Sequence, residues 1–206
     1  MAKKNRKAFA ISAAFLLIAG ASDTLAASPA MKIMGRASQP IGHYEFCKRS
    51  PSECKPLGGD AGPLPLSPEL WQAVLDVNYT VNTTIKPATD MEVYGQEEYW
   101  AYPTTAGDCE DFALLKRRML MQKGVPASDL LITVVLQPSG EGHAVLTVRT
   151  DRGDFILDNM RNKVLLWSDT EYTYLKRQAA DDPGRWMKIQ DGRSSNAATV
   201  ASVSGN

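Results

Sequence analysis

The sequence predicts an α+β fold, in which two helices precede a run of antiparallel strands, with no βαβ alternation. Three observations carry this. Two segments, from Ser67 to about Thr83 and from Cys109 to Lys123, keep apolar residues at helical spacing between start and stop signals. Four short β-rich runs follow: Leu130 to Gln137, His143 to Thr150, Asp154 to Asp158 and Lys163 to Trp167. The stretch D-R-G-D at 151–154 is a hairpin turn signal between the second and third.

The first residues have the plan of an export signal, assigned to 1–26. Lys3, Lys4, Arg6 and Lys7 are basic, Ala8 to Gly20 is apolar, and Thr24-Leu25-Ala26-Ala27 offers small residues for cleavage. The apolar run is short of the ~20 residues of a spanning helix. Removing this segment would take away four basic residues and Asp23, leaving 19 basic and 22 acidic residues. A chain of that charge has no electrostatic case for binding nucleic acid.

Residues 27–66 are rich in Pro, Gly and Ser and read as an irregular extension. Cys47 and Cys54 flank a short loop containing Pro51, and an exported chain pairs such thiols in a local disulfide. The domain proper is assigned to 67–190. Its first helix starts with Ser67 as N-cap and Pro68 at the first helical position, and carries Leu70, Trp71, Val74, Leu75 and Val77. Residues 86–107 read as loop, with Tyr94, Tyr99, Trp100 and Tyr102. In the second helix Asp108 is the N-cap and Asp111 its partner three residues on, with Gly124 and Pro126 closing it. After Glu171 the chain is mixed and aromatic, with Trp186 expected to pack back on the domain. Residues 191–206 have the composition of a disordered tail.

The third cysteine, Cys109, has no partner, which in an exported chain marks a reactive thiol or an intermolecular bond. It stands at the start of a helix, where unpaired N–H groups favour a thiolate. A cysteine nucleophile also needs an imidazole. Of the two histidines, His43 lies in the extension beside the disulfide, whereas His143 opens the strand H-A-V-L-T-V-R. A carboxylate must orient the ring, and the next strand, D-F-I-L-D-N, ends in Asp158. A hairpin with a four-residue loop, Val148 opposite Gly153, sets His143 opposite Asp158. It leaves Ala144, Leu146, Val148, Phe155 and Leu157 as a core face.

Read together, G-D-C-E-D-F-A at 107–113, H-A-V-L-T-V and I-L-D-N resemble the bacterial transglutaminase-like cysteine proteinases, a group with periplasmic adhesin-cleaving members. V-N-Y-T-V-N at 77–82 and D-M-E-V-Y-G-Q-E-E-Y-W-A-Y-P at 90–103 are similar to the same family. The resemblance implies a papain-like, transglutaminase-like fold, with the nucleophile at a helix N-terminus packed on an antiparallel sheet. It implies a Cys109–His143–Asp158 triad. It also implies calcium held by Asp108, Glu110 and Asp111, a hard cation suited to carboxylates. The implied role is an exported cysteine endopeptidase acting on a periplasmic or cell-surface protein. An inner-membrane regulatory receptor is implied as a partner, because such receptors sequester the adhesin-cleaving relatives. Two other readings stay open on these residues: acyl transfer to an amine through the same triad, as in a transglutaminase or amidase, and a non-catalytic periplasmic binding protein on the same fold.

Overall fold

The computed structural model describes Met1 and residues 29–192. Apart from Met1, the expected export signal lies outside the described residues, as does the expected tail from residue 193 on. Asp191 still belongs to the fold: it is buried and accepts a hydrogen bond from the Tyr174 N–H.

In chain order the elements are β1 (Ile33–Ala37), α1 (Ile41–Arg49), α2 (Pro68–Thr84), β2 (Lys86–Pro87), α3 (Asp90–Tyr94), β3 (Ala106–Gly107) and α4 (Cys109–Gln122), followed by β4 (Leu130–Leu136), β5 (Gly142–Thr150), β6 (Gly153–Asp158), β7 (Arg161–Leu166), β8 (Thr173–Ala179) and β9 (Asp182–Ile189). Seven strands form one antiparallel sheet in the order β1-β9-β8-β4-β5-β6-β7. The parallel pair β2–β3 is separate and lies just before α4.

The helices cover one face of the sheet. Ser67 caps α2, accepting from the Leu70 N–H, with Pro68 behind it, and Val74, Val77 and Val81 are buried. From α4, Phe112, Ala113, Leu114 and Leu120 enter the same core with Leu146, Val148 and Leu157 of the hairpin. Lys116 and Arg117 are buried too, because α4 is wedged between the sheet and α2. The opposite face holds a second cluster of Val135, Val145, Ile156, Trp167, Tyr172, Tyr174 and Ile189, closed by Met31.

Three expectations need correction. Residues 27–66 are not irregular throughout. β1 pairs with β9, and α1 buries His43 and Phe46 before a short 3₁₀ turn at Pro51–Cys54. The Cys47–Cys54 disulfide joins α1 to that turn. The mixed stretch after Glu171 is a long β8–β9 hairpin, with Trp186 buried as expected.

The hairpin register differs as well. Thr150 pairs with Gly153 across a two-residue turn at Asp151 and Arg152, and the last pair is Leu146 with Leu157. Thr150 Oγ1 closes the turn, donating to the Gly153 carbonyl and accepting from the Arg152 N–H. A shift of two residues keeps every side chain on its expected face. His143 and Asp158 become diagonal rather than direct neighbours, a spacing that long side chains still span.

Candidate active site

Cys109 is the first residue of α4 and the free cysteine among the described residues. It shares a cleft of about 390 Å³ with His143, Ala144, Trp100, Glu98 and Lys176. The hydrogen bond from the Ala144 N–H to Cys109 Sγ, 3.3 Å long, ties the helix start to β5 next to His143. On the far side of the ring, His143 Nε2 lies 2.9 Å from Asp158 Oδ1. That contact leaves Nδ1 as the nitrogen available to a thiol.

Asp158 is fully buried. Burial alone would raise its pKa, but hydrogen bonds from His143, Tyr172 and the Met160 N–H outweigh it and bring the carboxyl down to about 2. Asp158 is therefore a stable anion facing an imidazole. The end of β6 that carries Asp158 and the start of β7 are fixed from α2, where Asn82 Nδ2 donates to the Asp158 carbonyl at 2.8 Å and to that of Arg161 at 3.0 Å.

The thiol itself behaves against the expectation for a helix start. Burial first, and the neighbouring Glu110 charge second, push Cys109 well above the ordinary thiol range. The thiol donates to Glu110 Oε2 at 3.1 Å. Burial and the local carboxylates together outweigh the helix N-terminus.

The predicted metal set Asp108, Glu110 and Asp111 is split by the structure. Asp108 and Glu110 converge instead with Asp90, their oxygens all within 4.8 Å of one another. Asp111 turns away, accepting from the Ala101 N–H at 2.7 Å and the Tyr94 hydroxyl at 3.1 Å. It packs against Gly107, where an added Cβ would stand 2.6 Å from its Oδ2. Asp108 occupies the N-cap position with extended backbone, yet its side chain makes no capping bond. Burial raises Asp108 and Glu110, with the Asp90 charge adding to the rise of Asp108 and the Asp108 charge to that of Glu110, and burial pushes Asp111 up to about 7 against the bonds from Ala101 and Tyr94. Buried oxygens of Asp90 and Asp108, one on each, have no hydrogen-bond partner. Three crowded carboxylates with orphaned oxygens fit a divalent cation.

Asp90 was the residue missed. It reaches the cluster because β2–β3 sets Lys86 beside Ala106 and Pro87 beside Gly107, carrying α3 up to the start of α4. The one local sign was the capping box of Thr89 and Glu92, which marks a helix start at Asp90. His43 is not part of the cleft wall. It is buried between Trp100 and Trp186 and, chiefly through burial, is lowered to about 4, so it is a neutral core histidine.

Comparison with solved structures finds Legionella pneumophila LapG in three forms. The calcium-bound form is 24% identical, with a TM-score of 0.50, and the alignment covers 64% of this chain and 80% of that one. Another LapG structure is 25% identical at a TM-score of 0.50, covering 65% and 76%. An EGTA-treated form gives 27% identity and a TM-score of 0.49, covering 61% and 73%. No curated protein matches the sequence. Residues 33–194 match the sequence model of the bacterial transglutaminase-like cysteine proteinases, a span that includes β1, α1 and the whole sheet. The chain belongs to the bacterial transglutaminase-like cysteine proteinase family.

Proposed function

We propose that this cysteine peptidase is an exported endopeptidase that cleaves a periplasmic or cell-surface protein through Cys109, His143 and Asp158. The observation that carries the reading is the shared cleft, in which a free cysteine at a helix start stands with a histidine held 2.9 Å from a buried aspartate. His143 takes the Sγ proton through Nδ1 while Nε2–H stays on Asp158. The thiolate attacks the peptide carbonyl, and the oxyanion forms beside the backbone N–H of Cys109 at the start of α4. The imidazolium returns its proton to the leaving amine. Water, deprotonated by the same ring, then releases the acid from the thioester. Export is supported by the basic–apolar–small order of the first residues and by the Cys47–Cys54 disulfide.

Asp90, Asp108 and Glu110 would hold calcium, the ion bound by one LapG structure. A bound cation neutralises the carboxylates that oppose thiolate formation. Among the described residues no helix is long and apolar enough to cross a membrane.

The test is labelling of Cys109 by an electrophilic cysteine-protease probe, mapped by mass spectrometry in wild type, Cys109→Ala and His143→Ala, with calcium and with chelator. Loss of His143 is expected to slow labelling by about 10²–10⁴-fold, and chelation is expected to slow it as well. Slow labelling that is the same with and without His143 would overturn the triad and leave a binding protein with an inert thiol.

A further inference from the structure

Asp158 holds more than a histidine. Its Oδ1 accepts from His143 Nε2 at 2.9 Å and from the Met160 N–H at 3.0 Å. Its Oδ2 accepts from the Tyr172 hydroxyl at 2.6 Å and from Arg161 Nε at 3.1 Å. The two outer groups are also joined, because the Arg161 guanidinium donates to the Tyr172 oxygen at 3.1 Å while forking onto Glu171. Tyr172 is buried, and its ring packs 5.5 Å from that of His143, tilted by 56°.

We propose that Tyr172 and Arg161 are positioning residues, a clamp that fixes the Asp158 carboxylate so that only one oxygen serves the imidazole. The proposal rests on the His143–Asp158 reading above. A carboxylate with two donors on each oxygen cannot rotate without breaking charge-assisted bonds. The same donors spread its negative charge toward Oδ2, so Oδ1 grips an imidazolium less tightly than a free carboxylate would. The clamp thus sets both the direction of the ring and how readily it gives back a proton. Tyr172 reaches the site from the segment before β8, and Arg161 from the start of β7. Neither belongs to the sequence motifs around Cys109, His143 and Asp158.

The test uses Tyr172→Phe, which keeps the ring against His143 and removes only the hydroxyl, beside Arg161→Gln. The first readout needs no activity. The downfield proton of His143 Nε2–H in the NMR spectrum, identified by its loss in His143→Ala, is expected to broaden in Tyr172→Phe through faster exchange with water. The second readout is labelling of Cys109 by an epoxide, whose opening needs a proton from the imidazolium. The maximal rate is expected to fall about 10-fold. The alkaline limb of the pH profile, where that proton is lost, is expected to move up by about 0.3–1 unit because a less shared carboxylate holds it longer. A folded Tyr172→Phe variant whose proton signal, maximal rate and pH profile match wild type overturns the clamp while leaving the triad intact. Wild-type labelling that does not depend on His143 overturns both. A change in melting temperature alone, with unchanged signal and profile, assigns Tyr172 to packing and overturns the clamp.

Discussion

Gly42 packs against the indole of Trp100, so close that a Cβ at this position would collide with Trp100 Cδ1 and stand 2.9 Å from the Glu98 carbonyl oxygen. Both Trp100 and Glu98 line the cleft that holds Cys109. The N-terminal helix therefore sets the position of one cleft wall. Gly42→Ala is expected to lower stability by about 1–3 kcal/mol through overpacking. Because the yielding atoms belong to the cleft, the variant should also label more slowly at Cys109. Thermal melts alongside labelling rates check this, and wild-type labelling in a destabilised variant would show that the wall is not shared.

The acid cluster gives a pH signature. Asp111 is raised to about 7 and Asp108 and Glu110 are raised as well, burial being the first cause in each case. A carboxyl raised in the folded state binds more protons there than in the unfolded chain. Its stabilising contribution is full below the ordinary carboxyl range and is lost as pH climbs through the folded value. Chelated protein is thus expected to lose melting temperature between about pH 5 and 9. Calcium should flatten that loss and add about 2.7 kcal/mol at a hundred times its dissociation constant. Asp90→Asn should weaken the calcium effect. Differential scanning fluorimetry at pH 5.5 and 8.5, with and without calcium, measures all three.

Lys116 is fully buried on α4, and its Nζ has no hydrogen-bond partner. Burial lowers it to about 7, against a partial pull back from Asp158. A lysine lowered in the folded state is costly wherever it is still charged in both states. The deficit is full below pH 7 and fades as pH rises toward the ordinary lysine value. Lys116→Met is expected to stabilise the protein by about 1–3 kcal/mol near neutral pH, with the gain shrinking by about pH 10. Denaturant titrations at pH 6.5 and 9.5 give the two values, and a gain independent of pH would refute the assignment.

Asn82 joins α2 to the turn that ends in Asp158 and Arg161. Asn82→Ala takes the side-chain donor from the Asp158 carbonyl and leaves the Arg161 carbonyl to Asn78 alone, at a cost of about 1–3 kcal/mol. It should slow Cys109 labelling more than Asn82→Asp, whose carboxyl can protonate and bond again at low pH. Labelling of both variants at pH 5 and 8 tests this.

Much of the site was legible because it sits at element boundaries with local signatures. Ser67-Pro68 marked α2, the G-D-C stretch marked the start of α4, and alternation along H-A-V-L-T-V-R placed the core face of β5 correctly. The register was legible only to within two residues, because either loop keeps the same faces. β1, β8 and β9 were missed for a shared reason. Each has a register shift, between Met34 and Arg36 in β1 and between Gln178 and Ala179 in β8–β9, and such shifts break the two-residue period. Asp90 was missed because long-range pairing of β2 with β3 places it, and those strands of two residues leave no periodic trace. Asp111 stands apart from the Asp90–Asp108–Glu110 cluster because the Tyr94 hydroxyl and the Ala101 N–H claim its oxygens, contacts that the local sequence does not announce.

The pairing of β1 with β9, Ile33 opposite Ile189, has a temporal consequence. These two strands lie near opposite ends of the folded region, so neither can find its place until nearly all the intervening chain is available. The segment from β1 into α1 carries Pro40 at the cleft edge and Gly42 behind Trp100. His43, in that helix, is held by Gln178 of β8 and by Trp186 of β9. One wall of the cleft is therefore finished by the last strands to arrive. Contacts so distant along the chain form slowly. A peptidase assembled this way comes of age late: it should gain its cutting edge only when the two ends of its sheet meet.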